Sequence, residues 1–503
     1  MARPAARGLS TGPTIDPAGR ASLSRVSDTA QARADSAAAD GDVSAAAWDE
    51  AVDSGGEPRP HYSELIAALE GGPDLARMAT AVQATIDSRG VDFGSAQGPA
   101  RFAVDPVPRI VEPSEWDLLR RGLAQRVQAL IAFVADVYGE RAIVAAGVVP
   151  ERVVDTADYL EPDMVGAPVT NVTYVAGLDL VRGADGRLRV LEDNLRTPSG
   201  IAYAMALRTA LDEHLPLSPP ERRLDPEPVY EQLGRALRAA APGGVDDPTI
   251  VLLSDGPSNS AWYEHRVLAE RLGIPIVLPR DLRVRDGRAL ARLEDGHSHE
   301  VDVVYRRTDE DRLRDPDGNP TWLAEALLEP LRAGAVSVVN PFGSGVADDK
   351  LVHAYVEEMV RFYCGEEPLI ESVRTYDLCD ADVLAEVLPR LDELVVKPRS
   401  GYGGEGVVVC PHATAADRAA VRRRVTESPE DYIAQDLVAI STHPTIRDGR
   451  LEPRHVDLRP FAIGAGGSVS TAPVALTRVA LEAGTLVVNS SQDGGGKDTW
   501  LIA

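Results

Sequence analysis

The sequence predicts a mixed α/β fold, and three stretches carry that reading. Gly177-Leu178-Asp179-Leu180-Val181 and Val190-Leu191-Glu192-Asp193-Asn194 are short apolar strands joined through a turn at Asp185-Gly186, the pattern of a β-hairpin. Thr249-Ile250-Val251-Leu252-Leu253-Ser254 is a continuous apolar run. A helical stretch, Ala261 to Leu272, and a second run ending Ile276-Val277 follow it, which reads as a β-α-β unit of a parallel sheet. Glu393-Leu394-Val395-Val396-Lys397 and Val407-Val408-Val409 flank the turn Gly401-Tyr402-Gly403-Gly404-Glu405-Gly406, so two strands meet there without an intervening helix.

At 503 residues the chain exceeds one hydrophobic core and is expected to divide. Residues 1–55, rich in Ala, Arg, Ser, Asp and Gly with little hydrophobic period, read as a disordered tail; no apolar segment follows Arg3 and Arg7, so a secretory leader is not supported. Residues 56–165 are expected to be helical. Their clearest element starts at a Ser114 cap and runs to Tyr138, with Leu118, Leu119, Val127, Leu130, Ile131, Val134 and Val137 largely on one face and Gly139 as its stop. Residues 166–235 hold the hairpin and a helix of small residues beginning near Ser199, then a connector from Pro216 to Pro228. Residues 236–342 hold the β-α-β unit and a strand, Val301 to Tyr305, that runs into Arg306-Arg307; the turn Ser254 to Asn259 lacks the glycine spacing of a dinucleotide fingerprint. Residues 343–503 carry the densest chemistry.

A formal net charge of −26 argues against nonspecific nucleic-acid or anionic-membrane partners, which need a basic face. Any anionic nucleotide then needs local cations. Cys364, Cys379 and Cys410 lack metal-finger spacing and cannot form a disulfide framework, so a reducing cytoplasm fits best, and no apolar run reaches the roughly 18 residues of a membrane span.

Glu192 and Asn194 lie two apart on one strand and therefore face the same way, while Asp179 comes from the other strand of the hairpin. An E-x-N pair is by itself an ordinary polar strand end. Two oxygen ligands beside a further Asp, however, suit a Mg²⁺ that keeps several waters and bridges phosphates. Lys397 at a strand end, followed by Gly401, Gly403, Gly404 and Gly406, offers a positive charge and backbone N–H groups that close over phosphates; the absence of G-K-S/T excludes a Walker A loop. Tyr432-Ile433-Ala434-Gln435-Asp436-Leu437-Val438 is an apolar strand broken by a polar pair; alone it reads as a plain sheet strand, but its backbone N–H and C=O groups can also meet an adenine edge. Asp457 and Arg459 share a face of Arg454 to Phe461, and Arg478 sits on a strand opposite in sense to Val479. Each arginine alone is an ordinary salt-bridge residue, but a guanidinium fork also matches phosphate. Lys350 opens a helix expected from Leu351 to Phe362, against the macrodipole, so an anion or a neighbouring acid, Asp348 or Asp349, should offset it.

Taken together these strings resemble the circularly permuted ATP-grasp family, type 2, over roughly residues 50 to 503. The resemblance rests on Leu191 to Gly200, Ala347-Asp348-Asp349-Lys350, Val396 to Gly406, Arg454 to Phe461, Val488 to Gln492 and Lys497-Asp498-Thr499-Trp500, and on Glu192-Asp193-Asn194 preceding Lys397, the reverse of the unpermuted order. A more distant likeness is to glutathionylspermidine synthetase. The resemblance implies a permuted ATP-grasp fold with an inserted Rossmann-like pre-ATP-grasp domain at 236–342. It implies ATP and Mg²⁺ as cofactors and a small-molecule or peptide substrate, joined as a carboxylate to an amine through an acyl phosphate. On that basis Asp179, Glu192 and Asn194 go to the metal, Lys350, Lys397, the four glycines and Gln435 to ATP, and Arg478 with Arg459 to the transferred phosphoryl. Arg478 is expected to leave stability nearly untouched when changed. The sequence departs from the family at Ala206-Leu207-Arg208, where Glu-Asn-Arg is usual, and at Val474-Ala475, where Gly-Gly is usual. These departures favour the alternative of an ATP-binding regulatory or scaffold protein; a hydroxyl-directed kinase would share the same nucleotide site.

Overall fold

Segments far apart in sequence supply one sheet, and that sheet carries most of the candidate site. The computed structural model describes residues 47–72, 74–95, 98–167, 173–401, 406–485 and 494–503. In chain order its strands are a hairpin β1 (Asp92–Ser95) and β2 (Gly98–Arg101), a short β3 (Arg109–Val111), and the hairpin β4 (Tyr174–Arg182) and β5 (Leu188–Asn194). Then come β6 (Ile250–Ser254), β7 (Ile276–Val277), the trio β8 (Leu282–Arg285), β9 (Arg288–Arg292) and β10 (Ser298–Glu300), β11 (Val303–Arg307) and β12 (Ser337–Val339). The C-terminal part adds β13 (Thr375–Asp377), β14 (Leu394–Pro398), β15 (Val408–Val409), β16 (Tyr432–Asp436), β17 (Thr442–Arg447), β18 (Arg450–Ala465), β19 (Ser468–Ala480) and β20 (Gly494–Leu501).

The large sheet has the order β3-β20-β19-β18-β4-β5, with β17 also on β18, so the expected early hairpin joins the C-terminal strands. β18 is long and alternates apolar with charged residues; Pro460, which has no N–H to give a ladder, stands at its irregularity. β12-β11-β6-β7 form a wholly parallel sheet with the helix Trp262–Leu272 between β6 and β7, as the β-α-β pattern predicts. β13-β16-β14-β15 form a separate antiparallel sheet, backed by the helices Ala381–Val387 and Ala415–Glu427 through Val387, Val421 and Val425.

Three expectations need correction. Residues 47–55 pack into the fold rather than belonging to a tail: Ala51 and Glu50 are buried, Glu50 bonds Arg109 at 2.5 and 2.6 Å, and Arg59 stacks over the Trp48 ring at 4.0 Å. The region at 56–165 is not purely helical, because the apolar run at β3 pairs in parallel with β20. Its long helix spans Pro113–Val137, with Glu112 as the extended cap residue and Pro113 in the first turn, where the fixed proline φ suits the helix start and displaces Ser114 as the cap. Trp116, Leu119, Leu123, Val127, Leu130 and Val134 form its buried stripe, whereas Leu118 is exposed. The helix expected after Lys350 is present as irregular turns, Val352–Tyr355, Val356–Met359 and Val360–Cys364. Among the described residues no helix is long and apolar enough to cross a membrane.

Candidate active site

The hairpin β4–β5 places Asp179 directly opposite Glu192 and Gly177 opposite Asn194. Leu180 pairs with Val190, so Leu191 is an extra residue and the strand bulges there. The bulge sets Val190 and Asp193 toward the core with Leu180 and Leu178, and Glu192 and Asn194 toward the cleft with Asp179. All three expected metal ligands therefore share one face. Asn194 has no side-chain hydrogen bond among the described residues. Glu192 takes one contact, from Lys397 Nζ at 3.2 Å. No group of three or more His, Cys, Asp and Glu side chains gathers at metal-binding spacing among the described residues. The available donors are two carboxylates and an amide, a hard oxygen set that fits Mg²⁺ and not a softer metal.

Asp179 is buried and already receives Arg459 Nε at 2.7 Å and Nη2 at 2.8 Å, and Arg478 Nη2 at 2.7 Å. Three donors on a group with about four lone-pair sites leave one on Oδ1 for a cation. Burial alone would raise this carboxyl's pKa; the two guanidinium groups reverse that and hold it well below the usual range. Arg478 also donates to Asp457, its cross-strand partner, through Nε at 2.9 and 3.0 Å and Nη2 at 2.5 Å. The expectation that Arg478 is dispensable for stability is thus corrected: it is buried at the centre of an ion cluster. The Nη1 of both Arg459 and Arg478 remains unengaged among the described residues.

The second sheet lowers its cations onto this floor. Lys397, at the end of β14, is buried and reaches Glu192 across 205 positions of sequence. Lys350 Nζ donates to the Gly401 carbonyl at 2.7 Å; burial and then the nearby Lys397 lower its pKa, while Glu192 opposes. Asp349, one of the two acids expected to offset it, is instead engaged by Leu351 N at 2.8 Å and Arg399 Nε at 2.9 Å, and the larger opposing charge is Glu192. Gly401 and Gly406 hold φ of +99° and +71°, and a Cβ on Gly406 would meet Pro398 Cγ at 2.7 Å. Gly403 and Gly404 lie outside the described residues, as does Val488 to Gln492. Gln435 is buried; its Nε2 bonds Thr375 Oγ1 at 2.9 Å and reaches the bulged Leu191 carbonyl at 3.4 Å, and β16 is paired on both sides there. Past the strand end, Leu437 to Ala439 make no backbone–backbone hydrogen bonds among the described residues. There a cavity of about 790 Å³ opens, lined by Leu437, Val438, Ala439, Thr375, Arg374 and Arg189 among others.

Several supporting residues escaped the sequence reading. Asp193 accepts Arg126 Nε and Nη2, both at 2.7 Å, and His353 Nδ1 at 2.7 Å; burial raises its pKa but Arg126 more than compensates. Asp348 accepts Leu195 N at 2.5 Å and Arg196 N at 3.3 Å, and burial pushes its carboxyl up to about 7. Asn340 Nδ2 bonds the carbonyls of Leu195 and Arg196, the latter at 3.1 Å. Arg307 bonds Pro198 O at 2.7 Å and Ser199 Oγ at 2.5 Å, and Glu264 Oε2 accepts Gly200 N at 2.8 Å and Ala202 N at 2.9 Å, at the start of the helix Ile201–His214. The chain after Asn194 is thereby clamped from three sides. Asp193's alternation with Glu192 and Asn194 was the one signal available. The departures at Ala206, Leu207, Val474 and Ala475 are buried in apolar clusters, and Arg208 bonds Asp498 at 2.7 Å, so these positions face core rather than cleft.

An antiparallel cation-bearing sheet closed over an oxygen-ligand hairpin is the arrangement of an ATP-grasp protein. A family model described as circularly permuted ATP-grasp type 2 matches residues 108–480, and the chain belongs to that family. It is 48% identical over 467 residues to a Frankia alni protein named "Putative glutamate--cysteine ligase 2-3", covering 91% of this chain and 54% of that protein. It is 46% identical over 464 residues to "Putative glutamate--cysteine ligase 2-2" of Frankia casuarinae, covering 90% and 53%. The chain spans about half the length of these two relatives. An uncharacterized Synechocystis protein is 40% identical over 466 residues, with 90% of this chain and 97% of that one covered. Among solved structures, a glutathione synthetase-like effector from Globodera pallida, in apo form, shares the fold with a TM-score of 0.56 at 12% identity, covering 85% of this chain and 97% of that one.

Proposed function

We propose that this protein is an ATP-dependent carboxylate–amine ligase working through an acyl phosphate. The 3.2 Å contact between Lys397 and Glu192 carries the reading, since it joins the nucleotide-facing and metal-facing motifs in one cleft. Asp179, Glu192 and Asn194 would hold Mg²⁺, which when bound neutralises phosphate charge. Lys350, Lys397 and the glycine turn hold the β- and γ-phosphates, and the cavity beside Leu437 to Ala439 receives the adenine. Arg459 and Arg478, each with Nη1 unengaged, meet charge that develops on the γ-phosphoryl as a substrate carboxylate attacks it and ADP leaves; an amine then displaces phosphate from the acyl carbon. The parallel sheet within 236–342 serves as the pre-ATP-grasp domain. The names of the two Frankia relatives favour glutamate as the acid and cysteine as the amine.

The test is an ADP-release screen of acids and amines in pairs, with hydroxylamine as a trap. A ligase releases ADP only with an acid present and yields an acyl hydroxamate. ADP release with no hydroxamate would transfer the site to the hydroxyl-directed kinase class, and ATP binding without any ADP release would leave a binding protein.

A further inference from the structure

The parallel sheet ends in a group that the proposed chemistry has not used. Arg306, at the C-terminal end of β11, is 2% exposed, and its Nε and Nη1 have no hydrogen-bond partner among the described residues. Ser344 Oγ, just past β12, is likewise buried and unpartnered. Ligands of parallel α/β sheets gather at this end of the strands.

These donors lie beside the segment that follows Asn194. The Arg306 guanidinium lies 5.5 Å from the Phe342 ring, two residues before Ser344. On the other side of Ser344, a Cβ placed on Gly345 would meet Arg196 Cδ at 2.8 Å. Arg196 itself stands two residues beyond Asn194, bonds Asp311 and stacks on Tyr159 at 3.8 Å. The neighbouring charges are otherwise paired: Arg196 with Asp311, Arg307 with Glu264 at 3.2 Å. Glu161, the other acid nearby, is pushed by burial up to about 7 and is engaged by Leu313 N at 3.1 Å. Arg306 is therefore the guanidinium without an acid of its own. Burial lowers its pKa to about 10, so it stays charged at neutral pH. A ring face satisfies no N–H, and a buried cation left unpaired is costly.

We propose that Arg306, with Ser344 and the edge of Arg196, binds a second carboxylate of the acid substrate, so that the acid is at least a dicarboxylate. The proposal rests on the ligase reading only for the identity of the reacting carboxylate. A monoanion matches the single uncompensated charge, and Arg196, beside Ser344, stands two residues beyond Asn194, so one small molecule would reach from this pair toward the side chains proposed for the metal.

The experiment is calorimetric titration of the full chain, loaded with Mg²⁺ and a non-hydrolysable ATP analogue, with two pairs that differ by one charge: glutamate against glutamine, and succinate against succinamate. Each diacid is expected to bind at least about 10-fold more tightly than its amide, as a charge-assisted hydrogen bond predicts. Arg306→Met should abolish that preference without weakening the nucleotide analogue, and Arg306→Lys should keep part of it. Ser344→Ala, which removes no charge, should lower diacid affinity in a chain that folds even where Arg306→Met does not. Equal affinity of the members of both pairs for the wild type, no binding at millimolar concentration, or a preference that survives Arg306→Met overturns the proposal. Because binding is read without turnover, diacid selectivity in a protein that never releases ADP would sink the ligase reading and keep the subsite. Acid-dependent ADP release blind to the second carboxylate would do the reverse.

Discussion

Glu192 and Asp193 are neighbours on one strand, and they have opposite surroundings. Asp193 points into the core, where Arg126 and His353 saturate it at 2.7 Å each. Glu192 points into the cleft with a single lysine contact at 3.2 Å. The same chemistry is a rivet on one face and keeps open acceptor sites on the other. Satisfaction of hydrogen-bonding capacity, rather than charge, separates the two roles.

Substitutions at the two positions should separate cleanly. Glu192→Gln is expected to lower kcat by about 10²- to 10³-fold while leaving the melting temperature close to wild type, because it removes a group acting where charge develops. Asp193→Ala should instead cost roughly 3–5 kcal/mol in denaturant unfolding, since it strands the buried Arg126. If the two variants exchange these phenotypes, the division between rivet and ligand is wrong.

Arg478 lies between those extremes. Lysine cannot serve Asp457 and Asp179 together, so Arg478→Lys should lose both stability and about 10²-fold in kcat. A loss of turnover with unchanged melting would restore the simpler expectation from sequence. Lys397→Ala is expected to weaken ATP binding by about 10- to 100-fold in titration calorimetry, the range for one charge-assisted contact. Unchanged ATP affinity would move the phosphate site elsewhere.

The smallest effect concerns Asp348, whose folded carboxyl is pushed up to about 7 from 3.8 by burial. A raised carboxyl pKa means that the folded state holds its proton more tightly, so this group's contribution is complete at acid pH and declines as pH rises toward 7. Asp179 and Asp193 are shifted the other way, and their contributions fail as pH falls below the ordinary carboxylate range. Whatever its fixed cost, Asp348→Asn should gain stability relative to wild type between pH 4 and 7 in denaturant titrations. A constant difference across that interval would show that Asp348 does not titrate there.

Much of this site was legible because it is written in short strings. Asp179, Glu192, Asn194, Lys350 and Lys397 converge, and the β-α-β unit folds as its apolar runs suggest. What alternation could not reveal is the bulge at Leu191: a plain period of two would put Val190 beside Glu192, yet Val190 is fully buried. The side chain of Gln435 was equally illegible: it is spent on Thr375 and Leu191, contacts no local pattern encodes. Arg459 and Arg478 looked like independent clamps because their shared partner, Asp179, lies about 300 positions away in the chain.

The bulge also has a mechanical meaning. Gln435 touches the floor at the Leu191 carbonyl, and the segment at 371–373 bonds Val190 from both sides, so the two sheets are pinned within two residues of Glu192. A pin there acts as a fulcrum. Were the two sheets to hinge at this pin, points close to it, Glu192 among them, would travel least. The side chains proposed to face a metal would then keep their mutual spacing while the rim of the cleft moved.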